Sequence, residues 1–484
     1  MSSLHATLVC AVGIAGLFYL DRDKSIRTSE ALWLPVIWLW IIGSRPVSVW
    51  LGIHSATTVT IRGAENSPLD AGVFGALLAA GIVLLIGRNR RVWACLKINW
   101  PCLIYFAYCL LSVLWSDYSD IAFKRWVKAI GDLVMVLVLV TDTQPIAALD
   151  RLISRAGYIL MPASVLFIRY FGNLGRGYSP DGAPMNTGVT TNKNELAVIA
   201  LVISLGAMWR FLNLLLAKPQ PNRARRLLAR GTLVAFCLAV LYMAHSATSI
   251  ACFLLSAVLI LGTRLPFIRR RPAGVHALVA MILLAGGLTM LLGGQAAVIH
   301  ALGRQTNLTG RSEIWAAVLP VVPNPMVGAG FESFWIGPRL EKVYRGLSRW
   351  WGGGHVNEAH NGYIEVYLNL GWVGVSLIAA ILISGYSHAV AAFRRRPAFG
   401  GLMLAYVAAA VAYSITEAGF RMLNPMWFFL LLAGVGSSAI VPGLVGRKAM
   451  QPARKPREHD TNQASDGQPP LSATNENVAA FSRL

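Results

Sequence analysis

The feature that most limits what this chain can fold into is the recurrence of long apolar runs. About thirteen segments reach the length, roughly 20 residues, that a helix needs to cross the hydrocarbon of a bilayer. They lie near residues 4–20, 31–52, 71–87, 100–116, 126–141, 151–171, 194–217, 231–245, 247–263, 274–294, 362–387, 398–416 and 424–443. The expected fold is all-α, a polytopic integral membrane bundle of about 12–13 transmembrane helices, with a long external loop that contains short helices. Only 13% of the residues are charged and 55% are hydrophobic. A water-soluble globular enzyme carries about 25% charged residues, so that class is excluded.

The net charge is +21, from 43 Lys and Arg against 22 Asp and Glu. Its placement decides what it means. Arg88, Arg90, Arg91 and Lys97 fall in one connection, and Lys218, Arg223, Arg225, Arg226 and Arg230 in another. Arg264 with 269–271, then Arg394, Arg395 and Arg396, then Arg447, Lys448, Arg454, Lys455 and Arg457 complete the set. Counting spans between them puts every cluster on one face, which the positive-inside rule makes cytoplasmic. The charge is therefore topology, and nucleic acid is not an expected partner. Contact with anionic membrane lipids is compatible with it.

No Lys or Arg precedes the apolar run of residues 1–20, so it reads as a retained helix rather than a cleaved signal peptide. Residues 444–484 lack an apolar period and read as a disordered cytoplasmic tail. Between these ends the chain divides into N-terminal helices (1–99), central helices with an external loop at 169–194 (100–294), a large external loop (295–361) and C-terminal helices (362–443). The cysteines at positions 10, 95, 102, 109, 237 and 252 sit in or beside apolar runs without CxxC spacing, as buried small hydrophobes do.

Connections in such bundles are short, so the two long external ones stand out. In the larger, TGRSEIWAAVLP reads as a short helix that starts at Thr309 or Gly310 and ends at Pro320. Arg311 then lies at the positive end of the helix dipole, where a guanidinium and open N–H groups suit a phosphate. The plain alternative is an ion pair with Glu313. The loop closes in GGGHVNEAHNGYIEVYLNLGWVGV, where Asn357, Asn361, Glu365 and Asn369 recur every four residues as one polar stripe if helical. Such groups inside an apolar span are expected to face the bundle interior or a wet cavity. His360, beside the stripe, is the side chain best suited to proton transfer near neutral pH. His355, Glu358 and His360 can be read as metal ligands, but no H-E-x-x-H pattern or nearby cysteine accompanies them. No G-x-S-x-G or P-loop is visible either.

TGRSEIW, the glycine-rich GAGFESFW and EAHNGYIEVYLNLGWVGV, in that order, resemble the O-antigen ligase (Wzy_C) superfamily, and most of all its ExoQ-like exopolysaccharide polymerases. GVTTNKNELAVIAL resembles that branch as well, and the likeness runs over roughly residues 100–440. The resemblance implies a metal-independent, inverting glycosyltransferase of the bacterial inner membrane, with its active face periplasmic and its C-terminus cytoplasmic. The donor would be an oligosaccharide on undecaprenyl pyrophosphate, and the acceptor a growing glycan or lipid A–core. A flippase and a chain-length regulator would be partners, and no cofactor is implied.

Carried onto this chain, the resemblance implies that Arg311 binds the donor pyrophosphate, with Arg176 or Lys193 as a second cation. His360 would orient or deprotonate the acceptor hydroxyl. Glu365, one turn into the helix, would hold the imidazole or a sugar hydroxyl. Asn361, Asn194 and Trp335 are the expected substrate-binding residues, and Trp350 and Trp351 are further candidates for stacking on sugar rings. The chain departs from the ligases in carrying Met185-Asn186-Thr187 where they place an Arg, and Ala247 where relatives tend to be basic. Polymerisation of repeat units is the favoured reaction, and transfer to lipid A–core the alternative. A transporter or a structural export subunit is the reading of another class, and would tolerate loss of Arg311 and His360.

Overall fold

The computed structural model describes residues 2–23, 28–53, 67–178, 182–270, 272–291, 309–347 and 356–440. His355, Trp350, Trp351 and the expected tail at 444–484 lie outside the described residues. The helices of ten residues or more are α1 (Ser3–Leu20), α2 (Trp33–Ile42), α3 (Pro68–Ile86), α4 (Asn89–Ile98), α5 (Trp100–Leu111), α6 (Ser119–Val140), α7 (Pro145–Tyr170) and α8 (Lys193–Leu215). They continue as α9 (Arg223–Met243), α10 (Ala247–Gly262), α11 (Pro272–Leu291), α12 (Thr309–Val318), α13 (Gly337–Leu347), α14 (Gly362–Arg395), α15 (Pro397–Tyr413) and α16 (Pro425–Ile440). The protein is a polytopic helical membrane protein. Among the described residues the sheet content is one antiparallel pair, β1 (Arg176–Tyr178) with β2 (Pro184–Asn186), in which Arg176 faces Asn186.

Six helices (α1, α3, α7, α8, α9 and α14) are long and apolar enough to cross a membrane, and α4 with α5 forms a further candidate bent by 91°. The apolar helices Glu30–Ile42, Ala247–Gly262, Pro397–Tyr413 and Pro425–Ala439 are shorter than a full span. The run at 31–52 is not one continuous helix. Its first helix stops at Gly43, where a Cβ would stand 2.8 Å from the Ile199 side chain, and Pro46 then starts a separate turn. The packing reason is Arg45, buried at 6% exposure in that gap. Its Nε donates to Thr190 O at 3.0 Å and its Nη2 to Gly188 O at 3.3 Å, which ties down the loop that leads to Asn194.

The middle of the bundle is formed by α8, α15, α16 and the second half of α6, buried nearly all round. Helices apolar on every side belong there, since no face has to meet a polar phase. Two helices start from asparagine caps at the same end of the bundle. Asn192 accepts from the N–H groups of Asn194 and Glu195, and Asn361 from those of Tyr363 and Ile364. Each cap satisfies first-turn donors that the helix itself cannot.

The expected four-residue stripe is interrupted at its start. His360 has φ +47° and Asn361 is extended, so α14 begins at Gly362 and Asn357 stands outside it. Asn361, Glu365 and Asn369 do continue down one face. Ten residues on from Asn361, α14 breaks at Gly371 (φ 62°, ψ −164°). The ladder it loses there is replaced by the segment after Asn324. Trp372 N donates to Pro325 O at 3.0 Å and Val373 N to Met326 O at 3.2 Å, while Ala329 N and Gly330 N donate to Leu368 O and Asn369 O at 3.0 and 2.8 Å. Irregular backbone inside an apolar span is tolerable because protein groups satisfy it. The GAGFESFW segment is thereby fixed to the same helix that positions His360.

Candidate active site

Four separate stretches of chain meet at one end of the bundle. They are the start of α8, the first turn of α12, the turn 358–361 before α14, and the connection 414–424 between α15 and α16. Gly362 N donates to Ser414 O at 2.7 Å and Asn361 Nδ2 to Ile415 O at 2.9 Å, which joins the last two. Glu365 secures the turn from beneath. Its Oε2 accepts from Ala359 N at 2.8 Å and its Oε1 from Trp335 Nε1 at 2.6 Å, with Asn369 Nδ2 at 3.3 Å.

On this frame, cations and carboxylates alternate. Arg311 Nη2 lies 3.0 Å from Glu417 Oε1. The other oxygen of Glu417 is 3.2 Å from Asn194 Nδ2 and 3.4 Å from His360 Nδ1. His360 Nδ1 is also 3.0 Å from Glu358 Oε1, and Arg421 Nη1 approaches Glu358 Oε2 at 3.8 Å. Arg421 pairs with Glu332 Oε2 at 3.2 Å. The side chains of Arg311, His360 and Arg421 are 24–30% exposed, whereas those of Glu417 and Glu332 are 6% exposed. The cationic tips thus face the opening and two of the three carboxylates support them from behind. An anion arriving from outside meets positive charge first.

The imidazole of His360 is raised from its ordinary 6.5 to about 10. Burial alone would lower it, but the Glu358 carboxylate, and then Glu417, outweigh that cost. Burial likewise pushes Glu358 up, and the His360, Arg421 and Arg311 charges bring it down to about 2. Arg421 is held above the usual guanidinium range, because Glu332 and two further glutamates outweigh its desolvation. With its titration raised that far, His360 is an imidazolium at neutral pH, and its Nδ1–H is the one engaged by Glu358 and Glu417.

The structure distributes the residues singled out in the sequence unevenly. Arg311, His360 and Asn194 converge on Glu417, and Lys193 begins the same helix as Asn194. Arg311 finds its ion pair not in the neighbouring Glu313 but in Glu417. Arg176 donates from Nε to Ile168 O at 2.8 Å in the β1 strand and is not among the groups that meet Glu417. Glu365, expected to hold the imidazole or a sugar hydroxyl, is 2% exposed and spends both oxygens on Ala359 N, Trp335 and Asn369. Trp335, expected against a sugar, is 9% exposed and donates to Glu365, so its ring is part of the support. Asn361 caps α14.

Glu417 and Arg421 were not anticipated. The signal was present: they are the only charged residues between Arg396 and Arg447, a stretch otherwise apolar. Charges so isolated between two apolar helices are a signal of a candidate site, because desolvation makes such positions costly. Glu358, His360 and Glu417 also bring one ligand atom each within 4.8 Å of one another, a group able to hold a metal ion. His355, expected in such a set, lies outside the described residues. The donors suit a divalent cation, but Arg311 and Arg421 already occupy two of the carboxylates and add positive charge beside it.

Residues 232–379 match the family model described as O-antigen ligase, Wzy_C. The chain is similar to the O-antigen ligases. That match takes in Arg311 and His360 and ends before Glu417 and Arg421. The chain is also 27% identical over 298 residues to the exopolysaccharide production protein ExoQ of Rhizobium meliloti (strain 1021). The similarity covers 58% of this chain and 62% of that relative's length. Both similar proteins are named for surface-glycan work, ligation of O-antigen in one case and production of exopolysaccharide in the other.

Proposed function

We propose that this chain is an inner-membrane glycosyltransferase that polymerises exopolysaccharide or O-antigen repeat units carried on undecaprenyl pyrophosphate, at the periplasmic face. The observation that carries the reading is the arrangement of Arg311, His360 and Arg421, exposed at the opening with buried carboxylates behind them. A pyrophosphate leaving group needs its developing charge neutralised, and preorganised cations in a partly desolvated site supply that. Arg311, in the first turn of α12, adds a bidentate fork to the open N–H groups of the helix.

In the step we infer, the acceptor hydroxyl oxygen forms the new bond to the anomeric carbon of the donor sugar. The bond from that carbon to the pyrophosphate oxygen breaks, its electron pair leaves with the pyrophosphate, and the anomeric centre inverts. The hydroxyl proton passes to a carboxylate, for which Glu417 is placed beside both His360 and Arg311. His360, as an imidazolium, orients the reacting oxygens and donates from Nε2 to the departing pyrophosphate. No metal ion takes part in this scheme.

Transfer of a finished glycan to lipid A–core is the second reading, favoured by the description of the matched family. Lipid-linked and surface glycan in cells carrying His360→Ala separates the two. Single repeat units on undecaprenyl pyrophosphate, with long chains missing, are the expected result. Long chains accumulated on the same carrier would establish the ligase instead. Unchanged surface glycan would remove both and favour a structural subunit.

A further inference from the structure

A second concentration of charge lies at the other end of the bundle. Arg210 of α8 pairs through Nη2 with Asp21 at 2.5 Å and Asp150 at 3.0 Å. Arg230 of α9 pairs with the same two carboxylates at 3.0 and 3.5 Å. These two guanidiniums neutralise both aspartates. Arg151 and Arg155 of α7 stand beside them, and among the described residues neither has a carboxylate within ion-pair distance. The cluster thus holds four guanidiniums against two carboxylates and keeps an excess of positive charge.

Arg151 and Arg155 line a cavity of about 210 Å³, together with Asp21, Trp33 and Tyr158. Both arginines are partly exposed, and the one side-chain hydrogen bond that either makes among the described residues runs from Arg151 Nη2 to Asp23 O at 2.8 Å. A guanidinium with neither carboxylate nor hydrogen-bond acceptor, lining a cavity beside a second one, calls for an acceptor-rich occupant. The guanidinium of Arg155 is held in place by stacking, 4.2 Å from the Trp33 ring.

Position narrows the chemistry. Arg151 is nineteen residues before Tyr170, about 28 Å along α7, and the chain beyond Tyr170 leads to Asn194 at the candidate active site. The cavity therefore sits across the bundle from that site, on the side of the basic clusters. Cationic pockets between spanning helices at that depth suit the head groups of anionic lipids.

We propose that this cavity is a binding site for a phosphate oxyanion, supplied by the phosphodiester of an anionic phospholipid, which seals the first helix against α7. Arg151 and Arg155 take the charge, and the part of the Arg155 guanidinium that faces the cavity donates to the oxygens. The site is independent of the glycosyltransferase reading.

The test uses full-length protein in phosphatidylcholine nanodiscs, titrated with dioleoylphosphatidylglycerol and, separately, with inorganic phosphate. Retained lipid is read by native mass spectrometry, and phosphate by calorimetry. Wild type is expected to retain phosphatidylglycerol in preference to phosphatidylcholine. Loss of one charged hydrogen bond in Arg155→Gln should weaken retention at least about tenfold. Arg151→Gln, which removes the other positive charge of the cavity, should weaken it as well and guards against a folding defect in the first variant. Saturable binding of inorganic phosphate alone, lost in both variants, would support the oxyanion site with a soluble source. No preference for phosphatidylglycerol and no phosphate binding, or both variants retaining lipid as wild type does, would overturn the proposal and leave the cavity to water.

Discussion

Nη2 of Arg311 lies 3.0 Å from Oε1 of Glu417, a carboxylate 106 residues further along the chain. The other oxygen of that carboxylate faces His360 Nδ1. One glutamate thus sets the distance between the guanidinium proposed to hold pyrophosphate and the imidazolium proposed to orient the reacting oxygens. Glu417→Gln keeps the shape and removes the charge. Its product formation in isolated membranes should fall by about 10²-fold or more, since both cations lose their alignment. Arg311→Lys should fail comparably, because an ammonium cannot reproduce the fork. Full activity in Glu417→Gln would show that the pair only anchors the loop.

Protonation of His360 gives a second expectation, with a definite sign. Its folded-state value near 10 lies above the ordinary 6.5, so its stabilising pair with Glu358 is complete below about pH 6.5. It weakens as the pH rises toward about 10. Glu358, depressed from 4.5 to about 2, contributes fully above about pH 4.5 and loses its share as the pH falls toward 2. Histidine-selective nuclear magnetic resonance should therefore find His360 still charged at about pH 8, where an unperturbed imidazole is neutral. In Glu358→Gln its titration should move to lower pH. A wild-type titration near 6.5 would mean that the pair does not form in the membrane.

The break in α14 predicts a third result. At Gly371 the backbone is left-handed, and an added Cβ would stand 2.2 Å from the backbone of Met326. Gly371→Ala has to displace the segment that replaces the helix ladder. The strain of that φ/ψ pair, which essentially only glycine adopts, is alone roughly 1–3 kcal/mol, with the clash in addition. Thermal unfolding in detergent should show a lower midpoint, and glycan product should fall with it, because GAGFESFW hangs on that break. An unshifted midpoint would mean that α14 runs on unbroken.

What was legible in the sequence follows from how local each signal is. Most helices announced themselves through apolar length, although α6, α7 and α9 begin, and α14 ends, six to eight residues beyond the runs that carry them. The run at 31–52 misled because Arg45 is satisfied by carbonyls of a loop some 145 positions away, a partner that no local pattern contains. Arg311 and His360 could be singled out because each sits in a recognisable local setting, a helix start and a polar turn. Glu417 and Arg421 have no motif of their own. They acquire meaning only when the connection between α15 and α16 folds against Asn194, Glu358 and Glu332. Glu365 and Trp335 were seen as polar and aromatic groups near the site. Their bond to one another, which makes them support for the turn rather than its working surface, is a matter of packing.

The last prediction concerns metal. Glu358, His360 and Glu417 form the one group among the described residues with ligand atoms close enough to share an ion. For an ion to enter, His360 Nδ1 would have to give up a proton that its neighbours hold well beyond neutral pH. Glu417 would also have to release Arg311. A divalent cation would then sit between two guanidiniums with two carboxylates to balance all of it, which leaves the set short of negative charge. Activity in washed membranes should accordingly be unaffected by EDTA and by added Mg²⁺ or Mn²⁺. Inhibition by EDTA that a divalent ion restores in wild type, and fails to restore in Glu358→Gln, would instead make this trio a metal site, with Arg311 released to the substrate.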